Sequence, residues 1–379
     1  MKKIALITWK FHNYGTVLQA FATSYFLNQV LNVKCDLVNY DLNKINLDIP
    51  QRFSPLKIIN KIKKRTWLEF DKLRFNHIVI PWSEEIQKRE NKFETFIKNI
   101  PQTEKMGKSS LNKLNDDYEI FICGSDQIWN PKFFDGSYML DFVNSDKKKI
   151  AFSPSFGTTH IPPELENLYK ERLLNLDSIS VREDTGCEIV YKLTKRKAMH
   201  LCDPTLLLSR NDWINALQLK VQSQEYILCY FLSNNIWYKD MLLKIKECLN
   251  LPIKIIGVKE LSYKIENTQI IHPGPIEFVQ YIANAKFVVT DSFHGMLFST
   301  NFNIPYIVLQ RFSEKSNESE NSRLKSFMKL AKLEKRYYTY ATELNSECFD
   351  LLSESQICYI ESLREASIKY LKDNIITEQ

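Results

Sequence analysis

The sequence predicts an α/β protein: two Rossmann-like domains facing a cleft, with a C-terminal helix closing back over them. Three observations carry this. Short apolar runs alternate with amphipathic stretches of helical period along most of the chain. Several runs end in small polar turns that open a helix, the pattern of a strand feeding a parallel crossover. The length of 379 residues exceeds what one hydrophobic core normally holds.

The elements follow in order. Residues 3–9 read as a buried strand, 11–15 as a loop, 16–30 as a helix and 35–40 as a second strand. Lys-rich helical or irregular material over about 42–115 interrupts the rhythm. A strand over 119–123 restores it and ends in Gly124-Ser125-Asp126-Gln127. Further strands are expected over 149–153 and 178–181, with a helix over 163–175 between them. Near Asp203-Pro204 the first unit closes, and a helix over 210–217 opens the second. Its strands are expected over 226–232, 253–258, 286–290 and 306–309, with helices over 237–249, 276–284 and 293–302. The tail after about 353 reads as one long amphipathic helix. The chain should therefore divide into a first domain over 1–205, a second over 206–350 and a closing helix over 351–379.

Composition narrows the class. A hydrophobic content of 44% and a charged content of 25% are those of an ordinary globular protein. The net charge of +6 admits anionic ligands or an anionic surface, and with no aromatic-studded basic stripe nothing points to nucleic acid. The eight cysteines show no CxxC or Cys/His ligand spacing, so buried free thiols in a reducing compartment are expected rather than a zinc site. No HExxH, paired carboxylates or Asp-rich cluster suggests a metal, and no Walker A or GxGxxG suggests an ATPase or a nicotinamide enzyme. The opening MKKIALITW loses its apolar character at His12 and Asn13, too early for a signal sequence, and no run reaches transmembrane length. A cytoplasmic protein is expected. Residues Pro55 to Phe70 mix Lys57, Lys61, Lys63, Lys64 and Arg65 with Ile58, Ile59, Ile62 and Trp67. That segment is either a solvated helix packing on the first domain or a peripheral contact with the inner membrane face.

The stretch VVTDSFHG, Val288 to Gly295, carries the most chemistry. A strand ends at Thr290-Asp291 and a helix starts at Ser292, so backbone N–H groups collect beside His294. An anion site with a proton-transferring histidine is one reading; a capping turn with a bystander histidine is the other. His77, His160, His200 and His272 lack such context and read as structural or surface residues.

Five segments together resemble the polysaccharide pyruvyl transferase family: HNYGTVLQA (12–20), GSDQIWNP (124–131), SVRE (180–183), DPTLLL (203–208) and VVTDSFHG (288–295). The resemblance runs from about residue 3 to about 330. It implies a GT-B-like fold and transfer of pyruvate from phosphoenolpyruvate onto two hydroxyls of a sugar, forming a ketal in an exopolysaccharide or cell-wall polymer. No cofactor is implied beyond that donor substrate.

His294 then matches the family's acid–base histidine, with Asp126 as the alternative or partner base. Donor binding falls to Arg182, Ser292, Phe293, Gly295 and Arg323. Acceptor binding falls to His12, Asn13, Tyr14, Gly15, Ser125 and Gln127, with Trp129 either stacking on the sugar or packing in the core. Arg182 has a competing reading as a salt bridge to Glu183 or Asp184. One branch of the family carries an arginine two residues before its histidine. Ser292 stands there in this chain, so that cation is either missing or supplied elsewhere, by Arg311 or Arg323. The acceptor is a sugar, lipid-, nucleotide- or oligosaccharide-linked. The rival is a glycosyltransferase of the same fold whose DSFHG turn grips a nucleotide diphosphate; a non-catalytic binding protein is the third reading.

Overall fold

The computed structural model describes residues 2–41, 74–312 and 322–376. The basic segment 55–70 lies outside the described residues.

Two six-stranded parallel sheets form the frame. The first contains β1 (Lys3–Ile7), β2 (Lys34–Leu37), β3 (Ile120–Cys123), β4 (Lys148–Ala151), β5 (Ser178–Val181) and β6 (Met199–His200), in the order β2-β1-β3-β4-β5-β6. The second contains β7 (Ile227–Tyr230), β8 (Ile253–Ile256), β9 (Thr268–Ile271), β10 (Phe287–Thr290), β11 (Tyr306–Leu309) and β12 (Tyr337–Tyr338), in the order β12-β11-β10-β7-β8-β9. Strands β1, β3, β7, β10 and β11 are apolar runs buried almost throughout, as a sheet covered on both faces requires. The sequence reading missed β6, β9 and β12. Two of them hold only two residues, and β9 (TQII) has no continuous apolar run.

The expected helix over 16–30 begins earlier, at Tyr14, and its last turn, Phe26–Val30, widens into a π-helix. Asn13 caps it through a bond from the Thr16 N–H (3.3 Å). The long interruption contains the helix Ser83–Lys98, whose Arg89 donates to the Gly257 carbonyl in the second unit (2.8 Å).

The two units share a core. Tyr14 stacks on Phe278 (4.2 Å, 9°), and the same apolar cluster runs from the first helix into the helices Pro275–Asn284 and Phe293–Asn301. The closing helix, Glu354–Ile375, returns to the first unit. There Tyr370 donates to Ala151 O (2.9 Å), Arg364 to Leu206 O (2.7 Å), and Ser367 accepts from Cys202 N (3.0 Å). Two Rossmann-like domains clasped by a terminal helix make a GT-B-like architecture. All eight cysteines are free; Cys248 and Cys358 are exposed and Cys187 partly so, which departs from the expectation of uniformly buried thiols. Among the described residues, no helix is long and apolar enough to cross a membrane.

Candidate active site

Parallel sheets open a crevice where neighbouring strands send their connections to opposite sides. In the first sheet that point lies between β1 and β3; in the second it lies between β7 and β10. The loops leaving these four strands face one another across a cavity of about 380 Å³. Trp9, Phe11, Asn13, Thr16, Asp126, Gln127 and Phe133 line one wall; Leu232, Lys259, Ser292, Phe293, His294, Arg311 and Arg323 line the other.

The second wall is built by the turn after β10. Asp291 turns away from the cavity: its carboxylate accepts from Leu232 N (2.6 Å) and Ser233 Oγ (2.7 Å), tying the β7 loop to the β10 turn. Burial pushes its carboxyl above the usual range, against the pull of those bonds and of Arg311. Ser292 caps the helix by accepting from Gly295 N (3.3 Å). Gly295 is needed for close approach, since a Cβ there would lie 2.7 Å from Thr290 Oγ1. Its N–H is therefore spent on the cap, which corrects its assignment as a donor-binding group. The N–H groups of Phe293 and His294, at the first positions of the helix, have no intrahelical acceptor.

His294 is 8% exposed. Its Nε2, buried from solvent, faces Asp203 Oδ2 at 3.6 Å. Its Nδ1 rests over Gly15, where an added Cβ would come within 1.9 Å. A carboxylate behind one ring nitrogen fixes the orientation of the ring and favours the proton on that nitrogen, leaving the other to exchange protons. Asp203 belongs to DPTLLL, which the sequence marks only as a family motif at the close of the first unit. It backs the imidazole and also serves as a helix cap: Oδ1 accepts from Thr205 N (3.0 Å) and Thr205 Oγ1 (2.8 Å).

Arg182 lies behind the cavity wall, away from the donor-binding place expected of it. Its side chain is 0% exposed and lies outside the cavity lining. It donates to Asp203 (2.6 Å) and Asp126 (3.2 Å), and not to Glu183 or Asp184. Burial pushes the Asp203 carboxyl up, but His294 and Arg182 outweigh it and hold it well below the carboxylate range. Asp126 follows the same balance: burial raises it, and Arg182, His294, Arg323 and the Thr16 hydroxyl (2.8 Å) bring it below its ordinary value. An anion held so firmly is a poor proton acceptor.

The rest of the first wall departs from expectation in several places. Ser125 is buried and donates to Ser153 O (2.5 Å). Trp129 is 0% exposed, donating its indole N–H to Tyr138 O (3.0 Å), so it packs and does not stack on a ligand. Tyr14 is buried between the units, its hydroxyl on Pro273 O (2.7 Å). His12 turns outward to Glu90 (2.7 Å) and Phe93. Asn13 and Gln127 do line the cavity, with the Gln127 amide oxygen facing Arg323 Nη1 (3.1 Å). The aromatic edge is instead Trp9 with Phe11 and Phe133. Gln19, buried in the first helix, fastens this wall by accepting from Ser125 N (3.0 Å) and donating to Thr8 Oγ1 (3.0 Å).

Three cations face the cavity: Lys259, Arg311 and Arg323. Arg323 also lies against the Phe293 ring (5.6 Å), which Arg182 meets as well (5.0 Å). Burial and then Arg311 push the Lys259 ammonium below the ordinary lysine range, against the pull of Asp291. No motif in the sequence marked Lys259. Among the described residues, no group of three or more His, Cys, Asp or Glu side chains could hold a metal ion.

Among solved structures, a Listeria monocytogenes protein provisionally described as a UDP-N-acetylglucosamine 2-epimerase is similar, at 11% identity and a TM-score of 0.53. That likeness covers 100% of this chain and 98% of that one. S. aureus MnaA, in its UDP co-structure, is similar at 12% identity and a TM-score of 0.50, covering 100% and 99%. At such identities the likeness is one of fold. No curated protein sequence matches the chain. The family model for polysaccharide pyruvyl transferase matches residues 13–311. The matched span is most of the chain and takes in the cleft lining except Trp9, Phe11 and Arg323: the protein belongs to the polysaccharide pyruvyl transferase family, a family of transferases.

Proposed function

We propose that this transferase moves pyruvate from phosphoenolpyruvate onto two hydroxyls of a sugar. One observation carries the reading: an imidazole backed by Asp203 opens on the same cavity as Lys259, Arg311, Arg323 and a helix N-terminus. Phosphoenolpyruvate presents a phosphate and a carboxylate, and these groups match that supply of positive charge. Arg311 and Arg323 stand in for the arginine absent at Ser292.

The reaction needs one sugar oxygen to bond to C2 of the donor while C3 gains a proton and becomes a methyl group. The C2–O bond to phosphate then breaks, and the second hydroxyl closes the ketal on C2. Of the two hydroxyl protons, one balances the methyl group and the other leaves with phosphate. Nδ1 of His294, its ring held by Asp203, accepts a hydroxyl proton and returns it to C3. Lys259, Arg311 and the helix start carry the charge of the departing phosphate. Asp126 serves as a fixed charge that holds Arg182. The acceptor is a sugar of a lipid-, nucleotide- or oligosaccharide-linked surface-polymer precursor, met in the cytoplasm.

Thermal melting with phosphoenolpyruvate and, separately, with UDP-sugars tests the donor. Stabilisation by phosphoenolpyruvate is expected, and stabilisation by UDP-sugars alone would sink the reading in favour of a glycosyltransferase. His294→Ala should lower phosphate release by roughly a thousandfold while leaving the melting temperature within a few degrees.

A further inference from the structure

Trp9, Phe11 and Phe133 come from three separate points of the chain, yet they meet as one apolar edge. Trp9 follows β1, Phe11 sits in the loop before the first helix, and Phe133 closes the turn Pro131–Phe133. Ring centroids lie 5.4 Å apart for Trp9–Phe11 and 6.0 Å for Trp9–Phe133, with Trp9 in the middle. Phe11 is 42% exposed and Phe133 49%, while Trp9 is half-buried. All three line the cavity that holds His294.

The edge is held rigidly from behind. Trp9 meets buried Tyr138 edge-on (6.3 Å, 89°), and the Tyr138 carbonyl is bonded by Trp129. Asn130 caps the turn carrying Phe133 by accepting from Lys132 N (3.0 Å). Single exposed apolar residues are ordinary, but three adjoining aromatic rings fixed at a cleft are a binding feature. Their chemistry suits the C–H face of a pyranose ring. Asn13 and Gln127 stand in the same lining to meet its hydroxyls. The arrangement also has length: half-buried Trp9 lies between two more exposed rings.

We propose that these three aromatics form the acceptor platform, and that the acceptor is a saccharide of at least two rings. The ring to be modified lies against Trp9, and the adjoining ring lies across Phe11 or Phe133. This rests on the reading of the cleft as a sugar-modifying site, but it concerns the acceptor and not the donor.

Saturation-transfer NMR tests it with lactose, cellobiose and chitobiose against the methyl glycosides of galactose, glucose and N-acetylglucosamine. At least one disaccharide should receive saturation on the C–H protons of both rings and bind about tenfold more tightly than its matched glycoside. Combined Phe11→Ser and Phe133→Ser should erase that difference without lowering the melting temperature, and Phe133→Trp should keep it. The proposal falls if no disaccharide is saturated, if disaccharide and glycoside bind alike, or if the double variant binds as the wild type does. Calorimetry with phosphoenolpyruvate on the same proteins reads the donor separately. Its affinity should be equal in all of them, and failure of the wild type to bind it would overturn the donor assignment alone.

Discussion

Two turns at strand ends, 124–127 and 290–295, carry polar motif residues, and the structure uses them in opposite ways. The turn at 124–127 spends its polar groups inward: Ser125 on Ser153, Asp126 on Arg182 and Thr16. The turn at 290–295 also satisfies its own side chains, through Thr290 to Tyr230 O (2.7 Å) and Asp291 to the β7 loop. Around it, however, Lys259, Arg311 and Arg323 face the cavity, and Asp126 is the one carboxylate in the described lining. A polar turn at a strand end is thus ambiguous by itself. Cations gathered around a turn mark the one suited to a charged ligand, and an acid tied to a fully buried arginine marks the turn that supports the wall.

The sharpest way to break this contrast is where the first helix meets the turn at 290–295. Gly15→Ala places a Cβ 1.9 Å from His294 Nδ1. The ring has little freedom to yield, because Asp203 stands behind Nε2 and Phe293 packs beside it. Turnover should fall by at least about a hundredfold, since a displacement near 1 Å costs that much in reactive geometry. Wild-type turnover in steady-state assays would show that the position of His294 does not govern the rate.

Arg182→Met tests the inward-facing turn, and its signature is in stability and pH. Two buried carboxylates lose their common cation, a change that costs about 3–5 kcal/mol at neutral pH. In the wild type both carboxyls sit below their unfolded values. Their stabilisation is therefore complete above the ordinary carboxylate range and is lost as pH falls through the folded values. In the variant the same groups keep His294 and, for Asp126, Arg323, but lose Arg182; their pKa values rise, and protonation relieves part of the strain. The gap in melting temperature between the two proteins should then narrow from pH 7 to pH 4. A gap independent of pH would mean that packing, and not charge, is what Arg182 supplies.

The same contrast explains what the sequence disclosed. Apolar runs such as those of β3 and β10 must be buried strands whatever surrounds them, so the two units and the placing of the turns at the cleft were legible. The helix start at Ser292 followed from local pattern, whereas the weight placed on His294 came from the resemblance carried by five motifs together. The partners of Arg182 did not, because an arginine in a strand-end motif reads the same whether it meets a ligand or two aspartates twenty-one and fifty-six residues away. Asp203 was legible only as part of a family motif. Trp9, Phe11 and Phe133 form one edge only after β1 and β3 pair. Lys259 carried no motif at all; its meaning lies in its place at the end of β8.

Trp129 offers the finest test, because its two readings differ in which measurement moves. Trp129→Phe removes the indole N–H and leaves the Tyr138 carbonyl without its partner in a fully buried site. Such a loss costs about 1–3 kcal/mol, so the melting temperature should fall by several degrees. Acceptor KM should stay within about twofold, because the ring is 0% exposed and only props the segment that carries Tyr138. The opposite pattern, an unchanged melting temperature with a KM raised about tenfold, would return Trp129 to the sugar and make the turn at 124–127 a binding turn after all.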